Sequence, residues 1–266
     1  MQMDVKEELA RKAGGTKEPK LKKTMSIAEL IRAMEPEIKK ALPEVITPER
    51  FTRMALSALN TTPKLNECTP MSFLAALMNA AQLGLEPNTP LGQAYLIPFK
   101  NKGVLECQFQ IGYRGMIDLS YRNPLVQTIQ AQAVYENDYF EYELGLEAKL
   151  VHKPVLENRG EVRLFYGLFK LTNGGYGFEV MSREAMDNYA REYSKSMDNS
   201  FSPWKSNYTG MAKKTVIKQA LKYAPVKADF GRALSADETI KKEIAEDMGE
   251  IAGEAVYDAE YTEQSA

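Results

Sequence analysis

Residues 95–113 read YLIPFKNKGVLECQFQIGY. Tyr95, Ile97 and Phe99 alternate toward one face, and residues 100–103 supply a turn. Leu105, Cys107, Phe109, Ile111 and Tyr113 then alternate again while Glu106, Gln108 and Gln110 point the other way. This spacing predicts a β-hairpin with one apolar and one polar face. Upstream the period is helical instead. Ser26-Ile27-Ala28-Glu29 is a capping box opening a helix to about Met34, with Pro36 near its end. Thr47-Pro48 start a second helix with Phe51, Met54, Ala55, Ala58 and Leu59 on one face. A third runs from Thr69-Pro70 to Gly84, and with only Ser72, Asn79 and Gln82 polar between Met71 and Leu83 it should be deeply buried.

Downstream, Gly112-Tyr113-Arg114-Gly115 leads into a short helix ending near Arg122. Four strands are expected at 126–135, 139–144, 162–171 and 176–180, the last two joined by the turn Thr172-Asn173-Gly174-Gly175. Ser182 should cap a helix to about Tyr193, and a polar loop then delivers the chain to a final helix that Ala224-Pro225 ends. The fold class is therefore α+β, a mostly antiparallel sheet with flanking helices. Residues 1–23 read as a disordered basic arm, 24–233 as one domain, and 234–266 as an acidic disordered tail.

Charge is distributed unevenly along the chain. The whole carries −2, but residues 235–266 hold ten acids and two bases, net −8, which leaves +6 for residues 1–234. Residues 204–228 contain Lys205, Lys213, Lys214, Lys218, Lys222 and Lys227 and no Asp or Glu. Ala212, Val216, Ala220 and Tyr223 fall on one helical face, while Lys214, Lys218 and Lys222 follow the four-residue step along another. Like charges in one row repel by a few tenths of a kcal/mol per pair. Either the row is a solvated face or a polyanion such as a phosphate chain compensates it. Arg114, Asp118 and Arg122 also sit four residues apart. They form either an internal ion ladder or, with the glycines before them, a place where backbone amides and an arginine meet a phosphate.

Other chemistries find little support. The chain has one histidine, His152, and two cysteines, Cys68 and Cys107, in apolar patterns, so no zinc or disulfide framework is suggested. No Gly-Lys dipeptide occurs, hence no phosphate-binding loop of an ATP-driven motor, and no nucleophile elbow is present. Asp138 with Glu147-Ala148-Lys149 mimics the acid, acid-x-lysine pattern of a Mg²⁺-dependent nuclease, but so short a pattern arises by chance in a chain with 36 acids, and a turn at residues 136–138 with a solvated charge pair further on explains it better. No segment reads as a secretory signal or a membrane span, so the expected location is the cytoplasm.

Several of these stretches resemble one family, the phage and prophage RecT single-strand annealing proteins. They are Leu85-Glu86-Pro87, residues 92–99 (GQAYLIPF), 107–115 (CQFQIGYRG), 202–204 (SPW), 211–216 (MAKKTV), the strand at 165–170 and the exit Tyr223-Ala224-Pro225. The resemblance covers roughly residues 30–232, in the family's order. It implies ATP-independent annealing of complementary strands in phage-type homologous recombination by a non-enzymatic protein without cofactor. It also implies a helix-flanked sheet forming a groove like that of eukaryotic annealing proteins, and ring or filament oligomers. The implied partners are single-stranded DNA, the annealed duplex intermediate, a phage exonuclease and the single-strand binding protein of a bacterial host. On this reading Lys214, Lys218 and Lys222, flanked by Lys213 and Lys205, contact the backbone, while Gln108, Gln110, Tyr113 and Arg114, with Arg122 beyond them, line the groove. Trp204 beside Pro203 reads as a packing anchor. The helices between residues 26 and 60 are the candidate protomer contact, with packing inside their own domain as the alternative. A structural phage protein would explain oligomers but leaves the lysine row unexplained. The tail from residue 235 should be dispensable for binding strands, competing with them for the groove or recruiting a partner.

Overall fold

The computed structural model describes residues 25–44, 46–194, 202–225, 231, 234, 237, 239–245, 247–248, 250–251 and 253–255. The arm at 1–23 and Lys227 lie outside them. The described chain forms two compact units. The first contains residues up to Gln110 and resumes at 235; the second spans 111–234.

In the first unit the capping box is present in full. Ser26 Oγ accepts from Glu29 N–H at 3.3 Å and Glu29 Oε2 accepts from Ser26 N–H at 2.8 Å, opening α1 (Ile27–Ala33). The helix ends beside Pro36 as expected, with Met34 as its C-cap, and Pro36 then occupies the first turn of a separate helix, α2 (Glu35–Ala41), where its missing N–H costs nothing. Thr47 caps α3 (Pro48–Thr61), and α4 (Pro70–Leu83) ends at Gly84, whose φ of 57° is the left-handed C-cap. Ile27, Ile31, Ile38, Phe51, Ala55, Ala58 and Leu59 are all buried within this unit, so the apolar faces of these helices are spent on their own packing. Helix α4 is buried nearly all round as its composition required. Its Ser72 Oγ accepts from Cys107 N–H at 2.8 Å and so seats the helix on a strand.

That strand belongs to the expected hairpin, β1 (Ala94–Asn101) and β2 (Val104–Ile111), turned by Lys102 and Gly103 at φ 47° and 84°, the paired left-handed residues of a type I′ turn. Cys107, Phe109 and Ile111 face the core as predicted. The parity of β1 is the reverse of the expectation: Ala94 and Leu96 are buried, and Tyr95 is exposed. Asn88 fixes it, accepting from Leu96 N–H at 2.6 Å and donating to its carbonyl at 3.2 Å. A side-chain amide thus takes the part of a neighbouring strand and turns Leu96 inward.

The described residues between 237 and 255 include short strands and buried side chains where an acidic disordered tail was expected. A two-residue strand, β8 (Thr239–Ile240), pairs antiparallel with β2 at Phe109↔Thr239, and β9 (Glu254–Ala255) pairs with β8, giving the order β1-β2-β8-β9. Ile240 and Met248 are buried, Met248 N–H donates to Gln82 Oε1 at 3.0 Å, and Lys241 donates to the Met248 carbonyl. Lys242 reaches the buried Glu106 at 3.4 Å. Lys241 is buried and the exposed Lys242 is paired with Glu106, pairings that a net-charge count cannot register.

The second unit begins with α5 (Tyr113–Tyr121) and continues with β3 (Val126–Tyr135), β4 (Tyr139–Glu143), β5 (Lys149–Lys153), β6 (Val162–Leu171) and β7 (Tyr176–Ser182). Ser182 Oγ accepts from Ala185 N–H at 3.0 Å to cap α6 (Arg183–Tyr193). Then come α7 (Pro203–Ser206), α8 (Tyr208–Ala220) and a 3₁₀ turn, Leu221–Tyr223. The antiparallel strands make two sheets, β3-β6-β7 and the hairpin β4-β5. The central strand β6 is buried on both faces. Leu164 and Tyr166 pack with Val134, Phe140, Leu150 and Val180, while Phe165, Gly167 and Phe169 alternate with them toward the other face, where Gly167 meets α8. The α+β class with antiparallel sheets and flanking helices is as predicted.

Candidate nucleic-acid interface

Helix α8 is the element that carries the lysines, and its seating decides which of them reach solvent. Asn207 caps it, its Oδ1 accepting from Gly210 N–H at 3.2 Å. Ahead of it Trp204 is buried edge-on to Tyr208, ring centroids 5.6 Å apart, so the tryptophan is the packing anchor expected. The Arg183 guanidinium lies 3.9 Å from the centre of the Tyr208 ring, and Tyr208 Oη donates to Asp187 at 2.5 Å. Burial, ahead of that bond to Asp187, pushes the Tyr208 hydroxyl well above the usual phenol range. The apolar face of α8, Ala212, Val216, Ile217 and Ala220, lies on the sheet. Contact is closest at Gly167, where even a Cβ would come within 2.6 Å of the Val216 carbonyl oxygen. A mid-strand glycine is the sequence signal for such an approach.

The lysine row does not survive as one exposed line. Lys214 is buried with 4% of its surface accessible, Lys213 and Lys218 are half-buried, and Lys205 and Lys222 are exposed. Two reasons are geometric. Successive i, i+4 positions drift by about 40° around an α-helix, so a row accessible at Lys218 has turned under the neighbouring elements by Lys214. The α-helix also stops at Ala220, which puts Lys222 on the 3₁₀ turn. Tyr223, expected on the apolar face, is 82% exposed for the same reason.

Helix α5 packs beside α8 and brings three more of the expected residues to this unit. Tyr113 is half-buried and Arg114 exposed, its guanidinium 5.9 Å from the Tyr113 ring centre. Tyr113 is the first residue of α5, so the strand parity that would have turned it inward no longer applies. Arg122 bonds Asp118 at 2.6 Å, which realises half of the expected ladder. Asn123 ties the end of α5 to the end of the lysine segment, its Nδ2 donating to the Pro225 carbonyl at 2.6 Å. Gln108 and Gln110 are half-buried on β2, in the first unit. The structure therefore gathers eight of the ten expected contacts in the second unit.

The acid pattern of the nuclease alternative is spent on structure. Asp138 is buried, bonded by Arg159 Nε at 3.0 Å and Nη2 at 2.5 Å, by Val155 N–H at 3.1 Å, Tyr135 N–H at 3.0 Å and His152 Nε2 at 3.1 Å. A carboxylate only accepts, so His152 Nε2 carries a proton. The Arg159 guanidinium, with these donors, holds the Asp138 carboxyl well below the usual carboxylate range. Glu147 lies exposed in the β4–β5 loop, and Lys149 pairs with Glu141 at 3.6 Å.

An acid-free helix packed on an antiparallel sheet, with exposed lysines on the short elements before and after it and arginines at the two ends of the helix beside it, makes this an α+β protein with a candidate polyanion-binding face. The sequence pattern of the RecT family matches residues 49–250, which includes the C-terminal strands β8 and part of the segment to β9, and the chain belongs to that family. Protein RecT of Escherichia coli strain K12 is 39% identical over 234 residues, 86% of each chain. An uncharacterized protein, YqaK, of Bacillus subtilis strain 168 is 26% identical over 212 residues, 79% of this chain and 72% of the relative. As a RecT-family member, the chain is a single-strand annealing protein of phage-type recombination. No described helix is long and apolar enough to cross a membrane.

Proposed function

We propose that the chain holds single-stranded DNA by its phosphates along the outer side of α8, through Lys218 and Lys222 with Lys205 and Lys213 flanking, and anneals it to a complement without nucleotide. Tyr113 and Arg114 at the start of α5, and Gln108 and Gln110 on β2, are further contacts on this reading, and Arg122 adds charge from the end of α5. The observation that carries the reading is the acid-free stretch 204–228 with its helix α8 fixed on β6 at Gly167: Lys213 and Lys218 stand on that helix, Lys205 on α7 ahead of it and Lys222 on the 3₁₀ turn after it. Lysines read phosphate and not bases, so binding is indifferent to sequence. No step requires bond making, and the protein acts as a scaffold and not as an enzyme.

One protomer grips too few nucleotides to align a stable duplex. Protomers therefore assemble head to tail, a heterologous contact that yields rings or open helices. By the family resemblance, the working partners are a phage exonuclease that generates the strand and the host protein that coats it. The test incubates labelled complementary strands with protein and Mg²⁺ and no nucleotide, over a salt series. Duplex formed at constant strand length, with affinity falling steeply with salt, is the expected result. Shortened strands would indicate the nuclease, and salt-independent binding would sink the electrostatic account.

A further inference from the structure

Trp204 is buried, so it cannot stack on a nucleobase. The described aromatic side chains that do stand out beside the cations are Tyr223, 82% exposed, and Tyr121, 48% exposed. Both sit at one end of the second unit. Tyr121 closes α5 and Tyr223 closes the 3₁₀ turn after α8, and the Asn123 bond to the Pro225 carbonyl joins the two chain segments. Val126 and Ala224 pack together against Phe169, Leu171 and Ala220 beneath them. Neither ring is loosely held by its backbone. Tyr121 Oη accepts from Ile129 N–H at 3.3 Å, and Ala224 N–H returns to the Leu221 carbonyl at 3.2 Å.

We infer that Tyr121 and Tyr223 form a nucleobase-stacking platform at the end of the cationic track, with Lys222 beside it for the adjoining phosphate. The inference rests on the reading of α8 as the phosphate track and assigns the bases their own place. Tyr223 contributes nothing to the core, yet it is held on a short, hydrogen-bonded turn between a lysine and a buried alanine cluster. Cations interleaved with exposed rings are the arrangement that binds single strands without regard to sequence, since every base has a π-face. Charge favours this occupant over a protein segment: residues 204–228 lack acids, and the ring next to Lys222 is positioned to receive a base whose phosphate the lysine holds. Stacking also suits annealing. It uses the face of the base and leaves its pairing edge open to a second strand.

The experiment compares oligo(dT) with an abasic oligodeoxynucleotide of equal length, which keeps the phosphates and lacks the bases. The full-length protein is expected to prefer oligo(dT) by about tenfold, the value of roughly one stacked base. Tyr223→Phe should keep the preference. Tyr223→Leu and Tyr121→Leu should lose most of it with the slope of affinity against salt unchanged. Tyr223→Trp should be quenched by oligo(dT) and not by the abasic strand, above the constant signal of buried Trp204. A Tyr223→Leu protein that retains the preference, or that loses affinity for both strands alike, overturns the assignment. Lys218→Ala with Lys222→Ala tests the phosphate reading separately. A slope unchanged in that variant sinks the track, while base preference lost in Tyr223→Leu would still stand for the platform.

Discussion

Gly167→Ala is the smallest change that should unseat the helix on which the interface depends. The added Cβ would lie 2.6 Å from the Val216 carbonyl oxygen, 2.7 Å from its carbonyl carbon and 2.9 Å from Ile217 N. Ordinary contact begins near 3.4 Å, so α8 must withdraw by about 0.8 Å at this point. A gap of that size forfeits a quarter to a half of the dispersion energy of the facing atoms, and Ala212, Val216, Ile217 and Ala220 all lie on the face being lifted. Overpacking of this kind costs about 1–3 kcal/mol, from which the stiffer unfolded chain returns about 0.4–1 kcal/mol. The net loss should be about 1–2 kcal/mol. With a urea dependence of about 1–3 kcal/mol per molar, the unfolding midpoint falls by roughly 0.5–1 M at unchanged slope. The clash is with backbone, so Val216→Ala in the same chain should fail to rescue it. Gly231→Ala, whose Cβ meets nothing within 4 Å, is the clash-free control and should gain the unfolded-chain contribution of about 0.4–1 kcal/mol with nothing to offset it. A Gly167→Ala midpoint within error of wild type, or rescue by Val216→Ala, would refute this account of how α8 is held.

Lys214→Ala should lower stability, because the residue is buried, whereas Lys218→Ala with Lys222→Ala should leave the urea midpoint unchanged and reduce the salt slope of single-strand affinity by about 0.7 per lost phosphate contact. Truncation after residue 236 should destabilise the protein, since Ile240 and Met248 are each buried and such side chains contribute about 1.5–3 kcal/mol apiece; thermal unfolding reads the loss, and an unchanged midpoint would show that their burial contributes nothing to the fold. Asp138→Asn should cost about 2 kcal/mol through its charge-assisted bonds to Arg159. Because the folded carboxyl titrates below its unfolded value of about 3.9, its contribution is complete above that pH and disappears as pH falls through the folded value, so the gap between Asp138→Asn and wild type should narrow in acid. Burial pushes the Cys68 thiol up to about 12 and Cys107 well above its usual range, so a thiol reagent at neutral pH should label neither until the protein unfolds.

Local signals carried most of the fold. The capping box at Ser26, the Gly84 stop, the glycine turns after Asn101 and Thr172 and the Ser182 cap are chemistry written within four residues, and the structure has each where the sequence reading put it. What was not legible depends on partners distant in the chain. The inward turn of Leu96 comes from Asn88, the burial of Lys214 from the elements around α8, and the folding of residues 239–255 from an open edge of β2. Strand β5, unmarked because its five residues begin and end with lysine, is held by pairing with β4. For the candidate site, the acid-free stretch marks one helix but not which lysines it exposes, since a spacing of four cannot say where a helix is covered. Gly167 was legible in principle, as a glycine in an otherwise apolar strand; the exposure of Tyr121 and Tyr223 was not.

The reduced set of exposed lysines bears on how annealing would work. Six cations, Lys205, Lys213, Lys218 and Lys222 with Arg114 and Arg122, each neutralising one phosphate, would give a salt slope of about 4 per protomer. That is a weak grip for one copy in a chain whose net charge is −2. Along the proposed head-to-tail array the same contacts would add through effective concentration, so that a strand would be held firmly as a whole while any few nucleotides could lift and reseat. Annealing needs that combination, because a second strand must test registers and leave the wrong ones. A protomer with a stronger track would retain mispaired strands, and a protomer acting alone would retain none. Adding lysine at Thr209, exposed on the first turn of α8, should therefore tighten binding to one strand while slowing the conversion of mismatched to matched duplex. Stopped-flow annealing of perfect and shifted-register oligonucleotides would measure this, and faster correction with the added charge would refute it.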